Sequence, residues 1–323
     1  MWNIDLTYRQ ELTETFTRLL DKVSVLNKVR PLPKIVVQNL KEALLVEWTY
    51  NSNSIEGNTL TLRETQMVLQ EGVTVKGKSL REHFEAKNHE FAIHKLYKLL
   101  KDDYVLHIRD ILDLHQLVLR SIEDEFAGRI RMGGVRITGA NFIPPNAKLA
   151  SEYIDTLVAH VNLNPQGLNP IELATLFHHK FVWIHPFIDG NGRTVRLVMN
   201  LLLMREGFPP AIILANDRKK YYTALNQANN GNYSKLMLLM CQAIERTLNI
   251  YLDAVPEYHK AYDSISNIVQ EPEIPYGQEY VSLLARQGKI DAHKEGRNWV
   301  TTKEAVLDYI NRNKSKSNLY ISL

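Results

Sequence analysis

The segment His185-Pro186-Phe187-Ile188-Asp189-Gly190-Asn191-Gly192-Arg193-Thr194-Val195-Arg196 joins two apolar helical patterns, ELATLFHHKFVWI before it and LVMNLLLM after it. Its residues divide into separate chemical tasks. Glycines on either side of Asn191 let the backbone turn its amides into one concavity, and a helix starting there adds its positive end. The ligand such a concavity suits is phosphate. Arg193 and Arg196 are spaced to lean from one face of the new helix, with planar forks matched to phosphate oxygens. Asp189 supplies a hard carboxylate for a Mg²⁺ that would bridge nucleotide oxygens. His185, closing the preceding helix, has an imidazole suited to taking a proton from a hydroxyl near neutral pH. A lone histidine is usually a core residue and a lone Gly-Asn-Gly usually a turn. The conjunction within one short segment is what points to a site.

Working outward, nearly every long segment repeats its apolar residues at three and four, so the fold is expected to be mainly α. Residues 35–50 read as a helix. Thr61 with Glu64 forms a capping-box pattern, residues 79–101 read as a long helix, and Asn169-Pro170 with Glu172 opens the helix that runs to the loop. Pro186 stops it. RIRMGGVRITGANFI (129–143) is the exception: Gly133 and Gly134 divide two β-branched runs, which predicts a hairpin. Pro272 and Pro275 mark a linker. The tail beyond reads as helix, turn, two short strands about Gly296 and a helix opened by Thr301 and Glu304.

HPFIDGNGRTVR fills every specified position of H-P-F-x-[DE]-G-N-G-R-x-x-R, and the chain therefore resembles the Fic family of protein adenylyltransferases. The resemblance implies a helical core that moves AMP from ATP to a hydroxyl side chain (Tyr, Thr or Ser) of a target protein. His185 would be the general base and Asp189 the Mg²⁺ ligand. Gly190, Asn191 and Gly192 would cradle phosphate, with Arg193 and Arg196 on the β,γ-phosphates. The 129–143 hairpin, with Val135, Arg136 and Ile137, resembles the flap that receives the target by strand addition. DRKKYYTALNQANNGNY resembles the helix and turn closing the adenine pocket, with Tyr222 and Asn229 at the matching positions.

Ser52-Asn53-Ser54-Ile55-Glu56-Gly57 is similar to the family's inhibitory pattern [ST]-x-x-x-E-[GN] and lies N-terminal to the core. That implies a carboxylate from Glu56 paired with Arg196 where the γ-phosphate should lie. In some relatives the same glutamate aligns a water that removes AMP, so a de-AMPylase or bifunctional enzyme stays open. The family's self-inhibited members also suggest a homodimer.

Two rival readings remain. Gly72-Val-Thr-Val-Lys-Gly77-Lys78-Ser79 matches the P-loop pattern, but a helical pattern precedes it where a P-loop needs a buried strand. Residues 276–310 resemble a small winged helix-turn-helix, with Arg286, Lys289, Lys294 and Arg297 as candidate DNA contacts, so a DNA-binding regulator is the alternative of a different class. A net charge of +3 and pI near 8.7 are too mild to argue for nucleic acid alone. Expected domains are an inhibitory helical region at 1–104, the Fic core at 105–260 and the winged-helix tail at 270–323. No apolar run is long enough for a membrane span, and the start has no secretory pattern, so the expected location is cytoplasmic. The single cysteine, Cys241, sits in an apolar helical stretch and reads as a buried thiol.

Overall fold

The computed structural model describes residues 2–101, 103–137 and 139–321. In chain order it forms α1 (Tyr8–Lys28), α2 (Lys34–Ile55), α3 (Leu62–Gln66) continued by a π turn at Met67–Glu71, α4 (Leu80–Leu99), α5 (Ile108–Leu119), α6 (Ala147–Leu163), α7 (Pro170–Ile184), α8 (Asn191–Arg205), α9 (Arg218–Asn229) and α10 (Ser234–Asp253). Then come β1 (Asp263–Ser264), α11 (Ile265–Ile268), α12 (Gln278–Arg286), β2 (Ala292–Glu295), β3 (Asn298–Thr301) and α13 (Lys303–Ile321). The expectation of a mainly α fold is met.

Compactness divides the chain into two units, one comprising residues up to Tyr8 with Leu32–Met240, the other Arg9–Pro31 with Cys241–Leu323. These boundaries differ from those expected at 104 and 260–270. The reason lies in the second unit, where Arg18 and Lys22 of α1 bind Glu245 of α10, and Lys22 also reaches Asn249 and Asp291. Burial of Lys22, Glu245 and Asp291 together makes this pairing obligatory, because an unpaired charge there would be far costlier than a paired one.

In the first unit α7 and α8 form the centre. Phe177, Phe181, Ile184, Val195, Leu197, Val198 and Leu201 are buried, and both helices are buried around most of their circumference, polar residues included. α6 and α9 pack on α7, while α2, α4 and α5 pack on α8. The Asn169 cap is realised: its Oδ1 accepts from Glu172 N at 3.0 Å, and Glu172 Oε2 accepts from Asn169 N at 2.9 Å. Thr61 with Glu64 and Ser79 with Glu82 cap α3 and α4 in the same way.

The P-loop reading fails here. Gly72 terminates the π turn rather than a strand, Ser79 caps α4, and Lys78 Nζ donates to Thr59 O at 2.5 Å and Thr59 Oγ1 at 3.0 Å. The expected hairpin at 129–143 is also absent as a ladder: no strand is formed among its described residues, and Thr138 lies outside them. An isolated two-stranded ribbon is marginal in water without a face to bury. Met132 at 96% and Ile143 at 78% exposure have none.

In the second unit β3 lies between β1 and β2, all antiparallel, with Ala292 opposite Thr301 and Glu295 opposite Asn298. The hairpin turns at Gly296, whose φ of +60° suits glycine. Ile265, Ile268, Val281, Leu284, Ile290 and Val306 form its core. The tail thus contains the expected helix, strand pair and helix, though α13 is opened by Thr302, whose Oγ1 accepts from Ala305 N, and not by Thr301, which bonds Asp291 O. Cys241 is buried, as expected. No helix among the described residues is long and apolar enough to cross a membrane.

Candidate functional site

α7 ends at Ile184, and His185 takes a left-handed conformation at φ +49°, ψ +61°, its amide donating to Phe181 O at 2.9 Å. A non-glycine residue held there is strained backbone supported by its surroundings. The support is Arg131, buried at 3% exposure. Its Nε donates to His185 O at 2.7 Å, its Nη2 to Ile184 O at 3.3 Å and Pro145 O at 2.6 Å, and its Nη1 to Gly133 O at 2.9 Å. One guanidinium therefore satisfies the last carbonyls of α7 and ties Gly133 and Pro145 beside the loop. Burial lowers the His185 pKa to about 4, so its imidazole is neutral at physiological pH.

The loop is clamped by its own asparagine. Asn191 Oδ1 accepts from Phe187 N at 3.0 Å and its Nδ2 donates to Phe187 O at 2.9 Å. Both polar ends of this side chain are thus engaged by backbone, so Asn191 serves the loop by shaping it. Asn191→Ala leaves two buried backbone groups without partners, and about 2 kcal/mol or more of stability should be lost, read as a lower urea midpoint with unchanged m-value. From α5, His115 completes the frame: its ring stacks on Phe187 at 3.6 Å, its Nδ1 accepts from Gly128 N at 2.9 Å, and its Nε2 lies 3.0 Å from Asp189 O. Gly190, at φ +75°, sits where a Cβ would meet the His115 ring at 3.3 Å.

Arg193 and Arg196 are 2% and 3% exposed, so the sequence has buried two cations in the first turns of α8. Arg193 Nη1 lies 3.1 Å from Glu85 Oε1, and its Nε has no hydrogen-bond partner. Arg196 Nη1 lies 2.8 Å from Glu56 Oε1, while Nε and Nη2 donate to Ser52 Oγ at 3.0 Å and Ser52 O at 2.7 Å. The Glu56 carboxylate lies against the start of α8: a Cβ placed on Gly192 would overlap Glu56 Oε1. Gly57 follows at φ +103°. α2 runs on to Ile55, past the expected end at residue 50, so Ser52 is a helix-interior residue. Asp189 Oδ1 accepts from Gly190 N at 2.6 Å, and its Oδ2 is 2.7 Å from Arg81 Nη2.

Tyr222 lies beside the end of α2, its hydroxyl 3.5 Å from Ile55 O and Arg218 over its ring at 5.0 Å. Arg218 Nε donates to the same Ile55 O at 2.7 Å. Asn229 Oδ1 meets His179 Nε2 at 2.9 Å, and its Nδ2 donates to Asn141 Oδ1 at 3.3 Å. Val135 and Ile137 are half-buried and Arg136 is exposed. Among the described residues no group of three or more His, Cys, Asp or Glu side chains could hold a metal. In the second unit, Arg286 and Arg297 are exposed, but Lys289 Nζ donates to Glu11 O at 3.2 Å and Lys294 lies 5.7 Å over the Trp299 ring. Two of the four cations proposed for DNA are thus packed onto protein.

Residues 105–203 match the Fic/DOC family model. Among curated proteins, a protein adenylyltransferase Fic from Nematostella vectensis is 39% identical over 224 residues, covering 68% of this chain and 51% of that protein. One from Culex quinquefasciatus is 34% identical over 293 residues, 88% of this chain and 58% of the relative. The chain spans about half the length of these curated relatives. Among solved structures, Fic-1 (residues 134–508) from C. elegans superimposes with a TM-score of 0.68 at 32% identity, over 75% of this chain and 72% of that one. A Fic domain containing signaling protein from Bacteroides thetaiotaomicron gives 0.67 at 27% identity, over 74% and 96%. The protein is thus one with a helical Fic fold around a clamped loop at 185–196. The chain belongs to the Fic/DOC family.

Proposed function

We propose that the chain is a protein adenylyltransferase held off by its own Glu56. The observation that carries this reading is the pair of buried arginines at the start of α8, one with an unpartnered Nε and the other neutralised by a carboxylate lying against the helix N-terminus. Buried donors of this kind await an anion. A triphosphate supplies one, with Arg193 and Arg196 on its β,γ end, the amides of 190–192 around it, and the purine toward Tyr222 and Asn229.

The neutral His185 imidazole then takes the proton from an acceptor hydroxyl of the target protein as that oxygen attacks the α-phosphorus. The new P–O bond forms as the bond to the β-phosphate oxygen breaks, and pyrophosphate leaves toward the arginines. The chemistry of Asp189 fits Mg²⁺: it offers one hard, partly exposed carboxylate beside the proposed phosphate position. Asp189 would hold that ion, which supplies charge neutralisation on the phosphates. The segment carrying half-buried Val135 and Ile137 and exposed Arg136 receives the target by strand addition, a partner that also supplies the ladder this segment lacks. The residues up to 104 carry the inhibitory segment, 105–260 the catalytic core and 270–323 a winged-helix-like module, in a cytoplasmic homodimer.

The test is isotopic. With the Glu56→Gly variant and cell lysate, label from α-³²P-ATP should appear on protein, and label from γ-³²P-ATP should not. Labelling from the γ position would make the enzyme a phosphotransferase and end this reading.

A further inference from the structure

Asp189, the carboxylate proposed to receive the metal, already carries a cation. Arg81 of α4 places Nη2 2.7 Å from Asp189 Oδ2, Nη1 3.2 Å from Glu123 Oε1 and Nε 3.4 Å from Glu85 Oε1. Glu85 is shared in turn with Arg193 at 3.1 Å and accepts from Asn58 Nδ2 at 2.9 Å. Arg193 Nη2 stands 3.5 Å from the same Asp189 oxygen. The result is a chain of alternating charge in which one guanidinium touches three carboxylates.

We propose that Arg81 is a positioning residue that occupies Asp189 Oδ2 until a nucleotide-bound divalent cation arrives, so that metal entry is an exchange of cations at this carboxylate. The inference rests on Asp189 as the metal ligand. Three observations support it. First, Asp189 Oδ1 is engaged by Gly190 N, which leaves Oδ2 as the oxygen both cations need. A divalent ion coordinates such an oxygen at about 2.1 Å, and a guanidinium on the same oxygen would face it at a few ångströms as a like charge. Second, Arg81 has solvent-exposed space to move into: its side chain is 48% exposed, and Glu85 and Glu123 already touch it, so it keeps two charge partners after leaving Asp189. Third, Arg193 Nη2 also stands 3.5 Å from Asp189 Oδ2, but Arg81 at 2.7 Å is the nearer and more exposed cation on that oxygen, so it is the one a metal has to displace. Arg81 therefore holds Asp189 in place while weakening metal binding in the absence of substrate.

The probe is Mn²⁺, titrated by electron paramagnetic resonance of the free ion into the Glu56→Gly protein with an ATP analogue bearing a methylene between the α- and β-phosphorus atoms. Adding Arg81→Ala should tighten Mn²⁺ binding about two- to fivefold, the worth of a partly exposed ion pair. Arg81→Gln should do the same while preserving side-chain volume, which answers any doubt over folding. Unchanged or weaker binding in both variants overturns the proposal. Lys87→Ala is the control for net charge, since Lys87 is on the same helix but pairs with Glu90 at 2.5 Å. Equal tightening there also overturns it. Asp189→Asn separates the two levels: if it leaves Mn²⁺ affinity unchanged, Asp189 is not the metal ligand and the functional assignment itself is wrong at that residue.

Discussion

Glu56→Gly should raise transfer of AMP to protein by roughly one to two orders of magnitude, and His185→Ala added to it should return labelling to background. The size follows from what the carboxylate does. Glu56 Oε1 lies 2.8 Å from a buried guanidinium and against the first turn of α8, a place where an anion is favoured by charge, by hydrogen bonding and by the helix end. It resembles a phosphate oxygen in every respect but its tether. A charge-assisted contact of this sort is worth about 1.5–3 kcal/mol. That figure is the amount by which the nucleotide-competent state is disfavoured, and removing it multiplies the competent fraction accordingly.

Two features keep the variant from being a mere cavity. Glu56 stands at the exposed end of α2, its side chain 32% exposed, so its loss empties little packed volume. The Ser52 hydroxyl and carbonyl remain on Arg196, so the arginine stays oriented for phosphate. His185 tests a different step, since removing the proton acceptor leaves nucleotide binding intact and stops the chemistry. Equal labelling by wild type and Glu56→Gly would dispose of the inhibitory role. Undiminished labelling by the His185→Ala double variant would dispose of the base.

The contiguous part of the site was readable in the sequence because its geometry is local. Asn169, Pro170 and Glu172 announce the start of α7 by capping chemistry, and the loop from His185 to Arg196 carries its own turn residues and helix end. What the sequence hides is whatever depends on distant residues meeting. Arg131 supports His185 across 54 positions, His115 braces Asp189 across 74 and Arg81 reaches it across 108, and no spacing rule connects such pairs. α2 was read as ending at residue 50 because Asn51-Ser52-Asn53-Ser54 favours turns in isolation. In the fold, Asn51 accepts from Ala215 N, Ser52 binds Arg196 and Asn53 donates to Glu85 O, so tertiary partners override that preference. The 129–143 segment is the converse: β-branched residues about two glycines favour a hairpin locally, yet no strand forms among its described residues, because a ladder needs a partner that they do not provide.

Acid should unfold the first unit at a pH where most globular domains are still stable, with the melting temperature dropping steeply below about pH 6. Burial, aided by nearby cations, lowers the pKa of His89 to about 3 and those of His115 and His179 to about 4, and it lowers His178 well below the ordinary value; His185 is also lowered to about 4. In the unfolded chain each would titrate near 6.5. Between these values the unfolded state binds protons that the folded state refuses, so stability is complete above about pH 6.5 and is lost as the pH falls toward 4.

The hydrogen bonds explain the refusal. Gly128 N already donates to His115 Nδ1, and the Tyr221 hydroxyl lies 3.1 Å from His178 Nε2. His179 is held between the Tyr233 hydroxyl at 2.7 Å and Asn229 Oδ1 at 2.9 Å, which together suit one donor and one acceptor nitrogen. A proton added to His115 Nδ1 would oppose the Gly128 N–H donor and break that bond. Each fully buried ring forfeits about 1.4 kcal/mol per pH unit in this window, so His89, His115, His178 and His179 together approach the whole stability of a typical domain within one to two units. Calorimetry across pH 7 to 4.5 should show this slope, with several protons taken up per molecule unfolded at pH 5.5. A melting temperature that stays level over that range would mean these rings accept protons in place, and that the neutral imidazole assigned to His185 rests on an environment less restrictive than its burial implies.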